Sequence, residues 1–539
     1  MQNTLKNYLL RIMCLTLALT SVLLSPVSVQ AEETIPNTKA YTVTKKAEGA
    51  TEETTQGEYD TFMECISAID INDATSQYTV YVNRDTVIPA EEGFHGRTNN
   101  KIRLTSGVGG PFTLTRKGDK NIIDVNGDCE FTIDNIILDG NQESECLSVL
   151  GNGKVTIGSG AVIQNFIDSP TYVGPALYVA SQATLIIEEG ATIRNNVSNS
   201  QGGAIQVRQE ATLTIKGGTF ENNISLSSQG GAIAAYGKLN ITGGTFKGNK
   251  AKKVGGAIII GKTHPATIEN ATFIENEAST GGAIYSSQDI TIQNTTFEKN
   301  KANWGGAIYT IKNLVINKST FRENMVKGAG GALYLNKNNG AAQITQSNFI
   351  NNVSKQDGGA IYTWLSDDKD PIVSTTAYTN ISTDENTLFR GNVAQNGRHT
   401  PPQNYADYTN LLFHADSDAA QDNNYRKSLL NNADINYENP FPYVYFQNGD
   451  NLCAGVKVER GKSIASDAFT DQSMPANPSK DGYTFKQWNT AADGSGDTFT
   501  EATLVNTDIT VYAIYTKNPE PTPTPKRKAV PATATKKIS

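Results

Sequence analysis

The chain has 539 residues, a net charge of −8 and a modest charged fraction of 19%. Its acidic balance argues against a nucleic-acid-binding protein, which needs a basic face. Length alone would predict several domains, but internal repeats make that estimate unreliable.

Residues 1–31 are predicted to be a secretory signal peptide. A positively charged start precedes an apolar core over 12–24, and Val29-Gln-Ala31 is a small-x-small cleavage site. The apolar run is short for a membrane anchor, and Cys14 lies in its middle, not at its end, where a lipoprotein anchor would need it. We therefore expect a secreted or cell-surface chain, cleaved near Ala31, with no membrane span in its mature form.

Residues 32–58 are rich in Thr, Glu and Lys and have few large apolar side chains, which predicts a flexible leader. The next segment, 59–71, carries Phe62, Ile66 and Ile69 at helical spacing and predicts a short amphipathic helix. Short runs of alternating apolar and polar residues between 78 and 138 predict the strands of the first, irregular coils.

The middle of the chain is a repeat. The phrase Gly-Gly-Ala-Ile or Gly-Gly-Ala-Leu returns in steps of 24 to 28 residues, starting at Gly202, Gly230, Gly255, Gly281, Gly305, Gly330 and Gly358. The phrase Phe-x-x-Asn alternates with it, starting at Phe220, Phe246, Phe273, Phe297, Phe321 and Phe349. A fixed period of this size indicates a repeat architecture.

Each repeat predicts short strands and no long helix. Ile stands five residues before every Phe of the second phrase, and Leu, Ile or Ala stands seven before it, which is the period-2 spacing of a strand with one buried face. Gly-Gly marks a tight bend. About three short strands fit one repeat, so we predict an all-β parallel β-helix over 59–440, with regular coils over about 155–363.

Both ends of such a solenoid must be covered. We assign the helix within 59–71 as the N-terminal cap and the polar segment 400–440 as the C-terminal cap.

Equivalent residues of stacked coils should form columns. The Ile and Phe columns are expected to be the core, and the asparagines that end each Phe-x-x-Asn phrase should stack their amides, each bonding to the next. In the two columns after each Phe, charged neighbours on successive coils have opposite signs. Such pairs stabilise by roughly 0.2–1 kcal/mol, so we interpret them as structural, with a ligand patch as the alternative.

The alternation of these two phrases over 201–363 resembles the repeats of the polymorphic outer membrane protein family. That resemblance implies a right-handed parallel β-helix and a role as a bacterial surface adhesin or surface-exposed passenger domain.

A different module is predicted over 441–517. Its strands and turns carry the phrases Gly482-Tyr-Thr-Phe-Lys-Gln-Trp488, Asp493-Gly-Ser-Gly496 and Ile509-Thr-Val-Tyr-Ala-Ile-Tyr515. They resemble the internalin B-repeat, also called the Listeria–Bacteroides repeat, which implies a small β-grasp-like stalk or adhesion unit of bacterial surface proteins. We expect Tyr483, Phe485 and Trp488 in its core. Residues 518–539 form a Pro/Thr-rich tail.

An enzyme is the competing class, because parallel β-helices host many polysaccharide lyases and glycoside hydrolases. Such a site would cluster acidic residues at one offset of adjacent coils, and a glycosidase needs two carboxylates, yet the acids of the repeats alternate with Lys and Arg. The histidines are far apart in the repeat frame: His95, His264, His399 and His414. Asp367-Asp368 is interpreted as a loop, and Asp124–Asp128 as a turn without EF-hand placements.

The cysteines after the signal peptide are Cys65, Cys129, Cys146 and Cys453. They show no CxxC or Cys/His metal spacing, so we predict no metal and no cofactor. Export permits a disulfide, and Cys129–Cys146 is the only pair close in sequence. Isolated buried thiols are the alternative.

One column suits ligand binding. The residue after each Gly-Gly-Ala-Ile/Leu is a tyrosine in four consecutive coils: Tyr285, Tyr309, Tyr334 and Tyr362. The Ile or Leu before it should face inward, which turns the tyrosine outward, and an exposed aromatic strip suits stacking on sugar rings or a protein partner. The alternative is that Tyr stacks on Tyr and stiffens the fold.

We therefore predict a non-catalytic adhesin or ligand-binding protein whose partner is a host or environmental glycan or a surface protein. A carbohydrate-active β-helix enzyme and a structural surface spacer remain the alternatives.

Overall fold

The computed structural model describes residues 39–394 and 442–519, apart from gaps at 98, 143–145, 169–173, 337–340, 357, 364–380, 385, 459–460, 468–472 and 507–508. The predicted signal peptide, the predicted C-terminal cap and the tail from 520 onward lie outside the described residues. Asp367, Asp368, His399 and His414 lie outside them as well.

The described chain begins with a hairpin and a short helix. In chain order these elements are β1 (Tyr41–Lys46), β2 (Thr54–Tyr59), α1 (Phe62–Ser67) and β3 (Gln77–Val82). Strand β1 pairs antiparallel with both β2 and β3. The prediction of a flexible leader over 32–58 is therefore wrong from residue 41 onward. Tyr41 and Val43 alternate inward and are buried, and the Tyr41 ring packs on Phe62 at 5.7 Å.

Helix α1 is short but well capped. The Thr61 side chain accepts the Glu64 N–H, and the Glu64 carboxylate accepts the Thr61 N–H, both at 3.2 Å, which is a capping box. The Glu92 carboxylate accepts the Phe62 N–H at 3.1 Å. Phe62 and Cys65 are buried in the core that continues into the coils, so the predicted N-terminal helix is present and six residues long.

After β1–β3, each coil adds one short strand to each of three parallel sheets, here named the Ile, Phe and Tyr sheets after their repeated residues. The Ile sheet continues from β3 with Lys101–Ser106, Glu130–Ile133, Lys154–Ile157, Thr184–Ile187, Thr212–Ile215, Lys238–Ile241, Ala266–Glu269, Ile290–Gln293, Leu314–Asn317, Ala342–Thr345 and Ile381–Thr383. The Phe sheet holds Thr86–Ile88, Thr113–Arg116, Ile137–Asp139, Val162–Gln164, Thr192–Arg194, Thr219–Glu221, Gly244–Lys247, Ala271–Ile274, Thr296–Glu298, Thr320–Arg322, Asn348–Ile350 and Leu388–Arg390. The Tyr sheet holds Phe94–Arg97, Ile123–Asn126, Leu147–Val149, Leu177–Val179, Ile205–Val207, Ile233–Ala235, Ile258–Ile260, Ile284–Ser286, Ile308–Thr310, Leu333–Leu335 and Ile361–Thr363.

Two-residue strands between the Phe and Tyr sheets form the turn ladder. Its strands are Val197–Ser198, Ile224–Ser225, Lys250–Ala251, Lys301–Ala302, Met325–Val326, Val353–Ser354 and Val393–Ala394. In each sheet, the strand of one coil pairs in parallel register with the equivalent strand of the next coil. The all-β parallel β-helix expected from the repeats is therefore confirmed.

The phenylalanine column fills the core. Its rings are buried and stacked, with centroids 4.6–4.9 Å apart and planes within 2–11° of one another. The members are Phe220, Phe246, Phe273, Phe297, Phe321, Phe349 and Phe389. The Ile column five residues earlier is buried beside it, so both predicted core columns are confirmed.

The asparagine column forms a continuous buried amide ladder. Its members are Asn196, Asn223, Asn249, Asn276, Asn300, Asn324, Asn352 and Asn392. Each Nδ2 donates to the Oδ1 of the next asparagine at 2.9–3.0 Å. The same Oδ1 also accepts the backbone N–H of the preceding ladder residue at 3.0–3.1 Å. The predicted ladder is confirmed, and it also satisfies backbone groups at the turn.

The charged columns pair as the alternation predicts. Glu221 lies 3.8 Å from Lys247, and Glu323 lies 3.7 Å from Lys299. Glu298 contacts both Arg322 and Lys299. These side chains are partly exposed, so each pair contributes little stability and mainly favours the observed register.

The described part of the C-terminal module is a five-stranded mixed sheet with its own core. In sheet order its strands are Asn451–Lys457, Tyr443–Asn448, Ile509–Lys517, Tyr483–Asn489 and Thr498–Phe499. Trp488 is buried and packs edge-on against Phe446 and Phe485. The prediction that Tyr483 fills this core is wrong, because it lies at the exposed start of its strand, where Lys480 sits over its ring.

None of the four described cysteines forms a disulfide. Cys65, Cys129 and Cys146 are buried and Cys453 is exposed. The Cys129–Cys146 disulfide is thus absent, and buried thiols, the alternative, are what the fold contains.

Candidate functional site

The fold brings the four predicted tyrosines together as a ladder. Tyr285, Tyr309, Tyr334 and Tyr362 lie in register on consecutive strands of the Tyr sheet. Their ring centroids are 5.3, 4.7 and 4.8 Å apart, and the first two pairs are nearly parallel, at 10° and 13°. The last pair is tilted by 37°. We call these four residues the tyrosine ladder.

The side of the sheet on which they lie follows from the pattern of burial. Ile284, Ile308 and Leu333, one residue earlier on each strand, are fully buried, so the tyrosines project from the outer face. The tyrosine rings are nevertheless only partly accessible to solvent. Tyr334 is only 8% exposed, and burial raises the pKa of Tyr309 to about 12 and the pKa of Tyr334 still further.

This corrects the expectation of an exposed aromatic strip. Successive rings cover each other's faces, so a sugar ring cannot stack on the interior members of the ladder. The ladder instead offers ring edges and a row of hydroxyl groups. The Tyr309 Oη accepts a hydrogen bond from Asn336 Nδ2 at 2.6 Å, which fixes one of these hydroxyls in place.

A second group lies near the start of the same column and was missed from the sequence. His95, Asp124 and Ser148 occupy the ladder's offset in three consecutive coils. The His95 Nδ1 lies 2.7 Å from Asp124 Oδ2. Asn121 Nδ2 donates to Asp124 Oδ1 at 2.6 Å and to Ser148 Oγ at 2.8 Å.

This His–Asp pair was hidden because the first coils lack the Gly-Gly-Ala phrase that sets the repeat frame. The only available signal was the separation of 29 residues between His95 and Asp124, which is close to one coil. The pair is reachable from solvent, since the two side chains are 48% and 28% exposed.

Neither group has the composition of a metal centre. Across the described ranges, no three His, Cys, Asp or Glu side chains converge as metal ligands. The described residues also include no helix long and apolar enough to cross a membrane.

Comparison with known proteins agrees with this architecture. A family model described as a right handed beta helix region matches residues 183–377. The solenoid is a right-handed β-helix. A second model, described as a Listeria–Bacteroides repeat domain, matches residues 444–514. No curated protein and no solved structure matches the chain.

The two matches support a general assignment of the chain to a class of proteins. A β-helix joined to a Listeria–Bacteroides repeat is typical of surface or secreted proteins. Neither model is specific for the polymorphic outer membrane protein repeat, so that finer resemblance stays a prediction.

Proposed function

We propose that the protein is a secreted or surface-displayed adhesin that binds its ligand along the tyrosine ladder. The observation that carries the proposal is the ladder itself. At the same offset, earlier coils place Gln206, Ala234 and Ile259, so the fold does not require an aromatic residue there.

The chemistry of the ladder fits an extended polar partner. Hydroxyl groups on stacked strands repeat about every 4.8 Å, and each is both a donor and an acceptor. The rings are already held by stacking, so binding costs little side-chain entropy. A glycan chain or the edge of a surface protein, with hydroxyl or backbone groups in a row, is the partner we propose.

Replacing tyrosine by phenylalanine separates binding from stacking. The pair Tyr309→Phe and Tyr334→Phe keeps the rings and removes two hydroxyls, so the melting temperature should stay near that of the parent while binding to a glycan and mucin array falls. Tyr178→Phe, in the same column but outside the ladder, is the matched control. If the pair Tyr309→Ala and Tyr334→Ala folds and still binds as the parent does, the ladder is not the site.

The His–Asp pair favours a second candidate, a carbohydrate-active enzyme. A glycosidase needs two carboxylates, whereas the partners of the Asp124 carboxylate are an imidazole, that of His95, and an amide, that of Asn121. An imidazole oriented by a carboxylate can instead serve as a general base, which is the chemistry of a polysaccharide lyase. Sugar release from plant and host polysaccharides that stops in His95→Gln would support this candidate, and no release by the parent would remove it.

A further inference from the structure

A groove lies on a different face of the β-helix, along the turn ladder. It has a volume of about 530 Å³ and runs past Leu226, Lys252, Ser279, Asn303 and Lys327, which lie on five successive coils. With stacked strands about 4.8 Å apart, its length along the axis is about 19 Å. That length suits a segment of a linear polymer.

Turn length explains why the groove lies there. The ladder asparagine and the following Gly-Gly are five residues apart in two central coils, Asn276–Gly281 and Asn300–Gly305. They are six or seven residues apart in the coils on either side, for example Asn223–Gly230 and Asn324–Gly330. The shorter turns contribute Ser279 and Asn303 to the lining, and the longer turns on either side contribute Leu226, Lys252 and Lys327.

The groove is basic in an acidic protein. It is lined by Lys250, Lys252 and Lys327 and by a single acid, Glu277, whose carboxylate lies 3.2 Å from the Lys250 Nζ. The net charge of its lining is therefore positive, whereas the chain carries −8. Lysine ammonium groups bind sulfate or carboxylate as point charges with three donors.

Neutral hydrogen-bonding groups and an aromatic ring complete the lining and its border. Asn303 Nδ2 donates to Ser279 Oγ at 3.1 Å, and both residues line the groove. The next residue, Trp304, is 43% exposed, and its indole lies over Gly328, the residue that follows Lys327. An exposed indole next to hydroxyl, amide and ammonium groups is the combination that recognises a charged sugar, because the ring packs on the sugar and the ammonium on its anion.

We propose that this groove binds an anionic polysaccharide, a linear glycan that carries carboxylate or sulfate groups. The lysines contact the anions, and Trp304 packs against one sugar ring. This inference goes beyond the adhesin proposal, because the groove and the tyrosine ladder share no residue and either can fail alone. A nucleic acid is the less favoured polyanion, since such proteins present a broad basic face.

The test measures binding of the full chain to polygalacturonate, dextran sulfate and unmodified dextran by isothermal titration calorimetry. We expect binding of at least one acidic polymer, weakened by added salt, and no binding of dextran. The variant pair Lys252→Gln and Lys327→Gln should lower the affinity about tenfold, and Trp304→Ala should lower it as well. Glu277→Gln should raise it, because the variant removes the opposing charge and releases Lys250.

The matched control is the pair Lys238→Gln and Lys312→Gln, which removes the same charge from exposed positions away from the groove. The proposal would be overturned if the two lysine pairs lost the same affinity for the acidic polymers. It would also be overturned if dextran bound as tightly as they do, or if neither acidic polymer bound. A single-stranded oligonucleotide that binds as tightly as the acidic glycans would overturn it as well. Carboxylate and sulfate ligands are distinguished by which polymer binds.

Discussion

The amide ladder makes the sharpest stability prediction, at its central residue Asn300. The Asn300 Nδ2 donates to Asn324 Oδ1 at 2.9 Å and to the Phe273 carbonyl at 3.0 Å. Its Oδ1 accepts the backbone N–H and the side-chain Nδ2 of Asn276, both at 3.0 Å. Asn300→Ala deletes all four bonds inside a fully buried column.

The expected cost follows from these contacts. A buried hydrogen bond contributes about 1 kcal/mol net, and a stranded buried donor such as the Asn276 N–H costs about 1–3 kcal/mol, so the free energy of unfolding should fall by about 3–5 kcal/mol. Urea unfolding followed by circular dichroism measures the total. Hydrogen exchange of the Asn276 N–H measures the local effect, and it should speed up by roughly two orders of magnitude or more.

The control is Asn240→Ala, an exposed asparagine on a strand of the Ile sheet. It should change the free energy of unfolding by no more than about 0.5 kcal/mol. If Asn300→Ala costs as little as Asn240→Ala, the ladder does not stabilise the coils and the reasoning is refuted.

Three further predictions concern buried groups. The buried Arg116 guanidinium donates to the carbonyls of Pro89, Ala90 and Glu92, so Arg116→Met should lower the free energy of unfolding by about 2–5 kcal/mol; an unchanged thermal midpoint would contradict this. Burial raises the pKa of Tyr309 from 10.0 to about 12, so the unfolded state releases this proton first, and stability should fall as pH rises from 10 to 12. The fall should be smaller in Tyr309→Phe, and an identical pH profile would argue against a buried phenol. Alkylation of the native protein should modify Cys453 and spare the buried cysteines until the chain unfolds; rapid native labelling at Cys65 would show that the N-terminal end opens.

Much of the regular β-helix could be predicted because each column repeats one physical task. Phenylalanine recurs at the position whose ring stacks on the rings of the neighbouring coils. Asparagine recurs at the position whose amide bonds both to the next asparagine and to a turn. Because every coil has the same requirements, these residues recur at a regular period in the sequence.

The features that were missed belong to single coils or depend on packing. The alternation at Tyr41 and Val43 is too short to stand out in a polar segment. The burial of Tyr334 depends on the rings of Tyr309 and Tyr362 on the two neighbouring coils, which the sequence pattern alone does not measure. The His95–Asp124 pair joins two irregular coils, and the groove lies where the turn length changes by one or two residues.

The most direct test of the central claim is binding of the full chain to a glycan and mucin array, alongside the Tyr309→Phe, Tyr334→Phe pair. The adhesin account predicts that the parent binds at least one glycan or mucin and that this binding falls in the folded double variant. A folded parent that binds nothing would contradict the account and favour a structural spacer.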